Sequence, residues 1–117
     1  MSFEPLACPP TPTLTLATFA LVANTPPESI LLEAHRITGG TRRDDYGHPS
    51  DDFAKTARMW TGILASKLRD GAEITAMDVP MCMIALKIAR QTHHHKRDNL
   101  VDIAGYARTA AMVAGEE

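Results

Sequence analysis

Apolar residues recur at helical spacing in four segments of the chain, and polar stretches rich in Gly or Pro separate these segments. The first helix is predicted to begin at Thr25. Thr25 can cap the helix, and Pro26 suits the first helical position. Gly39-Gly40 is expected to end it. Its buried side is predicted at Ile30, Leu31, Ala34 and Ile37.

The next stretch, Thr41–Pro49, is very polar and contains a Gly and a Pro, so it is predicted to be a loop. Ser50 is the predicted N-cap of a second helix over about Asp51–Leu68. The helical spacing of the apolar residues predicts its buried side at Phe53, Ala57, Trp60 and Leu64.

Thr75 opens the third predicted helix, and Asp78 follows at the spacing of a capping box. The run Val79–Ala89 is nearly continuously apolar, which predicts a helix at the centre of a bundle, with Met77, Met81 and Met83 filling gaps in the core. A fourth helix is predicted over about Asp98 to Ala114, with Leu100, Ile103, Ala107 and Val113 in the core. Four helices with short connections predict an all-α, four-helix bundle.

Residues 1–24 differ from this helical domain, which we place at residues 25–117. They carry four prolines and no basic residue, and Thr13–Leu16 alternates polar and apolar positions. Two interpretations stay open: an extended or disordered tail, or an arm that packs on a second subunit.

The formal net charge of -2 argues against a bulk electrostatic grip on nucleic acid, but it allows a small anionic ligand. No apolar run approaches the roughly 20 residues that span a bilayer. Because no basic residue precedes Arg36 and the two cysteines do not resemble a disulfide pair, a cytoplasmic protein without membrane contact is predicted. A domain this small buries a limited fraction of its surface, which favours a homo-oligomer.

The segment Arg42–Pro49 concentrates two guanidiniums, two carboxylates, a phenol and an imidazole. One interpretation is a hydrated connector with local ion pairs. We prefer a shaped binding loop, because Tyr46 and His48 can each pack while presenting one polar atom. Gly47 permits an unusual backbone angle, and Pro49 stiffens the entry to the second helix.

A second polar group lies around the connection between the last two helices. Lys87 and Arg90 share a helix side that His94 would continue, and Asp98 and Asp102 are spaced i and i+4. Carboxylates at this spacing can hold Mg²⁺ together with phosphate oxygens, while the basic residues bind phosphate. In the alternative interpretation Asp98 complements the helix start and Asp102 pairs with Lys87 or Arg90.

Two further candidates for metal binding are less favourable. Glu33 is either a third metal carboxylate or a simple partner of Arg36, and the second is the default. The run His93–His95 does not predict zinc, because adjacent helical positions point in different directions.

Four motifs together resemble a family of small phage and prophage proteins of unassigned function, over roughly residues 28–112. They are Ile30–Gly40, Arg42-x-x-Asp45-Tyr46-Gly47-His48-Pro49-x-x-Asp52-Phe53, Lys87-Ile88-Ala89-Arg90 and Arg97-Asp98-x-x-Val101-Asp102-Ile103-Ala104-Gly105-Tyr106-Ala107. That family in turn distantly resembles the all-α nucleotide pyrophosphohydrolases of the MazG kind.

The MazG resemblance implies an oligomeric helical bundle that binds Mg²⁺ through helix-borne carboxylates and cleaves nucleoside triphosphates between the α- and β-phosphates. The chain departs from the signature of that family in two places. The first helix offers Glu33-Ala-His-Arg36, with one acid instead of two, and the last offers Asp98-x-x-x-Asp102, one residue longer.

The clustering of acidic and basic residues motivates the preferred hypothesis, which is Mg²⁺-assisted nucleotide hydrolysis. Glu33, Asp98 and Asp102 would hold the metal, and Asp45 or His48 would place the attacking water. The predicted nucleotide-binding residues are Arg42, Tyr46, Lys87, Arg90, His94, Arg97 and Tyr106. Two alternatives are a protein that binds a nucleotide or nucleotide signal without catalysis, and a helical host-modulating interaction protein whose polar cluster is structural.

Overall fold

The computed structural model describes residues 26–117. This part of the chain forms α-helices and one turn of 3-10 helix (Ala65–Lys67), and it contains no strand. The predicted all-α class is therefore confirmed. The α-helices are α1 (Ile30–Gly39), α2 (Thr41–Tyr46), α3 (Pro49–Ile63), α4 (Asp78–His93) and α5 (Arg97–Val113).

Helix α5 lies at the centre of the fold. Helices α1, α3 and α4 each pack against it, with the most extensive contacts made by α4 and α1. Within residues 26–117, the backbones of α1 and α4 do not approach each other closely. The arrangement is therefore a set of helices around α5, and the predicted central position of the helix over Val79–Ala89 is wrong.

Small side chains on α5 explain how several helices can approach it. Gly105, Thr109 and Ala110 are all buried, and Val101 is only 2% exposed. A Cβ atom at Gly105 would lie 3.4 Å from the Cγ2 atom of Thr38 in α1. A Cβ at that distance would make an ordinary van der Waals contact, so α1 packs on α5 at a distance that suits a small residue at this position.

Helix α4 is buried only in part. Val79 joins Phe53 and Ala57 of α3 in a core cluster, against which the predicted core residues Trp60 and Met83 also pack. Further along α4, however, Met81 is 45% and Ile88 is 50% exposed. The expectation that Met81 fills the core is therefore wrong, because no described helix covers that side of α4.

The start of α4 confirms one local prediction. The N–H of Thr75 donates to Oδ2 of Asp78 (2.8 Å), and the N–H of Asp78 donates to Oγ1 of Thr75 (3.3 Å). This reciprocal pair is the predicted capping box. The regular helix begins at Asp78 itself.

Other predicted helix ends differ from the structure. Helix α1 begins at Ile30, without a side-chain cap, although Pro26 had been expected in its first turn; Thr25 and the predicted arm over residues 1–24 lie outside the described residues. The predicted loop after α1 contains the six-residue helix α2. Helix α3 ends at Ile63, so Leu64 lies beyond it and is exposed instead of buried.

The cap of α3 is a histidine. Nδ1 of His48 accepts a hydrogen bond from the N–H of Ser50 (3.1 Å), and Pro49 occupies the first helical position. Ser50 had been predicted as the cap, but it lies inside the helix. An imidazole nitrogen replaces the usual hydroxyl or carboxylate oxygen, which is why the cap residue was misassigned.

Candidate functional site

Helices α1, α2, α3 and α5 surround a groove with a volume of about 570 Å³. This volume is within the range of small-molecule sites in proteins. Apolar side chains and a glycine form much of its surface: Ala34, Ile37, Pro49, Phe53, Val101 and Gly105. The groove therefore offers an apolar surface beside which polar groups are placed.

The polar groups of the groove come from separate parts of the sequence. Helix α2 and the turn after it contribute a cluster of charged and aromatic residues, to which α3 adds Asp52 and α5 adds Asp102 and Tyr106. The fold thus places the predicted loop signature and the last helix on the surface of one groove. The contributions of α2 are Arg42, Arg43, Asp45 and Tyr46.

Gly47 sets the direction of the chain between α2 and α3. Its φ angle is +78°, in the region that favours glycine, and its N–H donates to the carbonyl oxygen of Arg43 (2.8 Å). His48 then caps α3 as described. Both features are local, so the sequence Tyr-Gly-His-Pro holds α2 and α3 at a fixed angle beside the groove.

An ion pair lies behind the groove. Nζ of Lys87 in α4 is 2.7 Å from Oδ2 of Asp102 in α5, and the two side chains are only 15% and 14% exposed. The structure therefore shows the pairing that the sequence left open as the alternative to metal binding. Asp102 lines the groove, and Lys87 faces a second depression on the other side.

The second depression has a volume of about 590 Å³ and lies where α4 turns into α5. Oε1 of Gln91 accepts hydrogen bonds from the N–H of Lys96 (3.0 Å) and from Nδ2 of Asn99 (3.2 Å), which holds the turn together. Four predicted site residues line this depression: Lys87, Arg90, His94 and Asp98. They are not among the residues that line the groove.

The predicted site residues Glu33 and Arg97 lie together at a third place, outside the groove and the second depression. They make an ion pair with each other, and Arg97 also donates to the carbonyl oxygen of Glu28. Arg36 pairs with Glu28 instead (3.0 Å), so the expected pairing of Glu33 with Arg36 is wrong. The hydrogen bond from Arg36 lowers the pKa of Glu28 below its ordinary value of 4.5.

The predicted metal ligands do not form one set. Glu33 is paired with Arg97, Asp102 is paired with Lys87, and Asp98 lies in the second depression. Among residues 26–117 no group of three or more His, Cys, Asp or Glu side chains could hold a metal ion. The donors present therefore do not fit the Mg²⁺ site that the MazG resemblance implies.

The two residues that were predicted to place a water, Asp45 and His48, have different roles in the structure. Asp45 lines the groove, whereas His48 is not a lining residue and caps α3. Four polar residues that line the groove were not among the predicted site residues. Arg43 and Asp52 lie within the predicted signature, whereas Thr38 and Thr109 carried no signal beyond their helical positions.

Arg108 was also overlooked. Its Nη1 donates to the carbonyl oxygen of His35 (2.6 Å) and to Oγ1 of Thr38 (2.9 Å), so it joins the end of α1 to α5. A Cβ atom at Gly39 would lie 3.0 Å from the same nitrogen. Arg108 therefore positions the helix that forms one wall of the groove.

Comparisons with known proteins agree with the first resemblance. The profile of the family described as "Domain of unknown function (DUF6378)" matches residues 29–114. The Gene 55 protein of Mycobacterium phage D29 is 43% identical over 82 residues, which cover 68% of this chain and 50% of that protein. The Gene 55 protein of Mycobacterium phage L5 is 40% identical over 80 residues, covering 68% of this chain and 48% of that protein.

The chain thus spans about half the length of the curated relatives it matches. No solved structure matches it, so the likeness to MazG enzymes stays a prediction. Within the described residues, none of the helices has the length and apolar character needed to cross a membrane.

Proposed function

We propose that the chain, which belongs to the family described as a domain of unknown function (DUF6378), binds a nucleotide or a similar phosphorylated small molecule in its groove. The observation that carries this proposal is the convergence of the α2 residues with Asp102 and Tyr106 of α5. Residues about 60 positions apart in the sequence line one concave surface of suitable size.

The chemistry of the groove matches the parts of a nucleotide. Arg42 and Arg43 are exposed cations, and a guanidinium can donate two parallel hydrogen bonds to a phosphate. Tyr46 and Tyr106 offer aromatic surfaces on which a base can stack. Asp52 can accept hydrogen bonds from a base amino group or a sugar hydroxyl.

Binding without hydrolysis is favoured by the ion pairs. Two of the three acids required for the metal are already neutralised, Glu33 by Arg97 and Asp102 by Lys87. A phage protein of this kind would retain a nucleotide or nucleotide signal in the cytoplasm of the infected cell.

The proposal is tested by thermal unfolding and calorimetric titration with a panel of nucleoside and deoxynucleoside triphosphates, with and without Mg²⁺. A ligand at 100 times its Kd should stabilise the protein by about 2.7 kcal/mol. We expect stabilisation without metal and no release of pyrophosphate. Pyrophosphate release that requires Mg²⁺ would replace the binding proposal with the hydrolase hypothesis.

Arg42→Ala locates the site. It should weaken binding at least about tenfold, because a charged hydrogen-bond donor to phosphate is lost. The matched control is Arg58→Ala, which removes an exposed arginine of α3 that does not line the groove. Equal losses in both variants would indicate nonspecific charge attraction, and no binding by any nucleotide would refute the proposal.

A further inference from the structure

One side of α4 is apolar and open to water. We call Met81, Cys82, Ala85, Ile88 and Ala89 the α4 face; all of them are exposed, and together they cover more than two helical turns. The half-exposed Met81 and Ile88 are the largest of them. A solvated helix normally carries polar residues on such a side, so this pattern indicates a contact surface.

The distribution of charge along α4 supports this interpretation. No charged residue occurs between Asp78 and Lys87, and Lys87 points toward α5, where it pairs with Asp102. On the open side the α4 face is bounded by Asp78 at its beginning and by His93 at its end. The surface is thus apolar in the middle, with a carboxylate at one end and an imidazole that can donate a hydrogen bond at the other.

This arrangement is complementary to itself in one orientation. If two copies of α4 run antiparallel about a two-fold axis at Ala85, Met81 of each lies opposite Ala89 of the other, and Cys82 lies opposite Ile88. Larger residues then face smaller ones on both sides of the axis, where the two copies of Ala85 meet. Asp78 comes beside Thr92 and His93 of the other copy, and the two helix dipoles oppose each other.

We infer that the α4 face docks on the same face of a second copy of this chain, forming an antiparallel dimer through α4. A parallel pairing would place the two Asp78 carboxylates together at one end, and it would align the helix dipoles unfavourably. The dimer is independent of the proposed function, because the residues that line the groove include none from α4.

The first test measures the molecular mass of the full chain by sedimentation velocity over a range of concentrations. We expect dimers for the natural sequence. Ile88→Asp should weaken dimerisation at least about tenfold, because it places a carboxylate in an apolar contact. The matched control is Leu31→Asp on α1, where the leucine is 72% exposed and lies on a helix remote from α4.

A natural chain that remains monomeric up to about 100 µM would overturn the inference, since a specific dimer should form well below that concentration. If Ile88→Asp then lowered the melting temperature of this monomer, residues 1–25 of the same chain would be the better candidate to cover the α4 face. Equal weakening by Leu31→Asp would place the interface elsewhere.

Cysteine crosslinking tests the orientation, with Cys8→Ser in every variant. Ala85→Cys combined with Cys82→Ala should crosslink readily under mild oxidation, because residue 85 of each copy lies at the axis. Cys82 alone should not crosslink, since an antiparallel pairing offsets its two copies by roughly 9 Å along the helix, at 1.5 Å for each of six residues. Efficient crosslinking through Cys82 alone would contradict the antiparallel dimer.

Discussion

Helices α4 and α5 have similar lengths, but α5 is surrounded by other helices whereas one side of α4 is exposed to solvent. Helix α4 contains the most apolar run of the chain, yet much of that run is exposed. Helix α5 carries four charged residues and is nevertheless the helix on which α1, α3 and α4 pack. Its small side chains allow neighbours to approach, so the ability to be surrounded depends on side-chain size as well as on hydropathy.

The two helices also differ in how they use their charges. On α5, Asp102 pairs with Lys87, and Arg108 bonds to the carbonyl oxygen of His35 and the hydroxyl of Thr38. These charged groups join α5 to its neighbours. The exposed apolar residues of α4 join it to nothing within the described chain, and this contrast motivates the proposed dimer.

The largest effect is expected at the ion pair that connects the two helices. Lys87→Met keeps the length of the side chain but leaves the carboxylate of Asp102 without its partner in a site that is only 14% exposed. The loss of stability should be about 3 kcal/mol, measured by urea unfolding.

A double variant distinguishes the pair from simple packing. Lys87→Met combined with Asp102→Leu removes both charges, so most of the lost stability should return. If the double variant were less stable than Lys87→Met alone, Asp102 would have another role in the fold.

A direct comparison of apolar truncations on the two helices comes next. Val101→Ala on α5 removes methyl groups from a side chain that is 2% exposed and should cost about 2 kcal/mol. Ile88→Ala on α4 removes more carbon atoms but should cost less than about 0.5 kcal/mol in dilute solution, where the proposed dimer dissociates. A larger loss at Ile88 than at Val101 would invert the contrast between α4 and α5.

The sequence predicted the number and order of the four longer helices because apolar spacing is a local property. The predicted central position of α4 was wrong for a physical reason. An apolar helix side favours burial, but the sequence of the helix does not show whether the same molecule or a second one buries it. The central position of α5 depends on tertiary contacts such as that of Gly105 with Thr38, and these two residues lie far apart in the chain.

The candidate site was predictable to a similar degree. The signature around Tyr46 and Gly47 indicated a shaped segment, and it does line a groove with Asp102 and Tyr106. The structure does not bring Glu33, Asp98 and Asp102 together as one group of metal ligands, because tertiary contacts decide which basic residue pairs with each carboxylate. Arg97 reaches Glu33 across 64 positions of sequence, which helical spacing cannot reveal.

A smaller effect distinguishes the starts of the two helices. Thr75→Ala removes the hydroxyl that accepts from the N–H of Asp78 and should cost about 1 kcal/mol. Lys96→Ala, at the N-cap of α5, removes no side-chain cap and should change stability by less than about 0.5 kcal/mol. Similar losses in the two variants would mean that the capping box does not stabilise the exposed helix.

The smallest expected effect concerns the ion pair between Glu28, which precedes α1, and Arg36 in the last turn of that helix. Helix α1 packs on α5 and not on α4. The hydrogen bond from Arg36 lowers the pKa of Glu28, so the folded state favours the carboxylate. Its small contribution to stability is therefore present above pH 4.5, the ordinary pKa value, and is lost as the pH falls through the lower folded value. Carbon-13 NMR titration of Glu28 should show its pKa rising toward 4.5 in Arg36→Gln and unchanged in Arg58→Gln. An unchanged pKa in Arg36→Gln would show that this exposed pair does not form in solution.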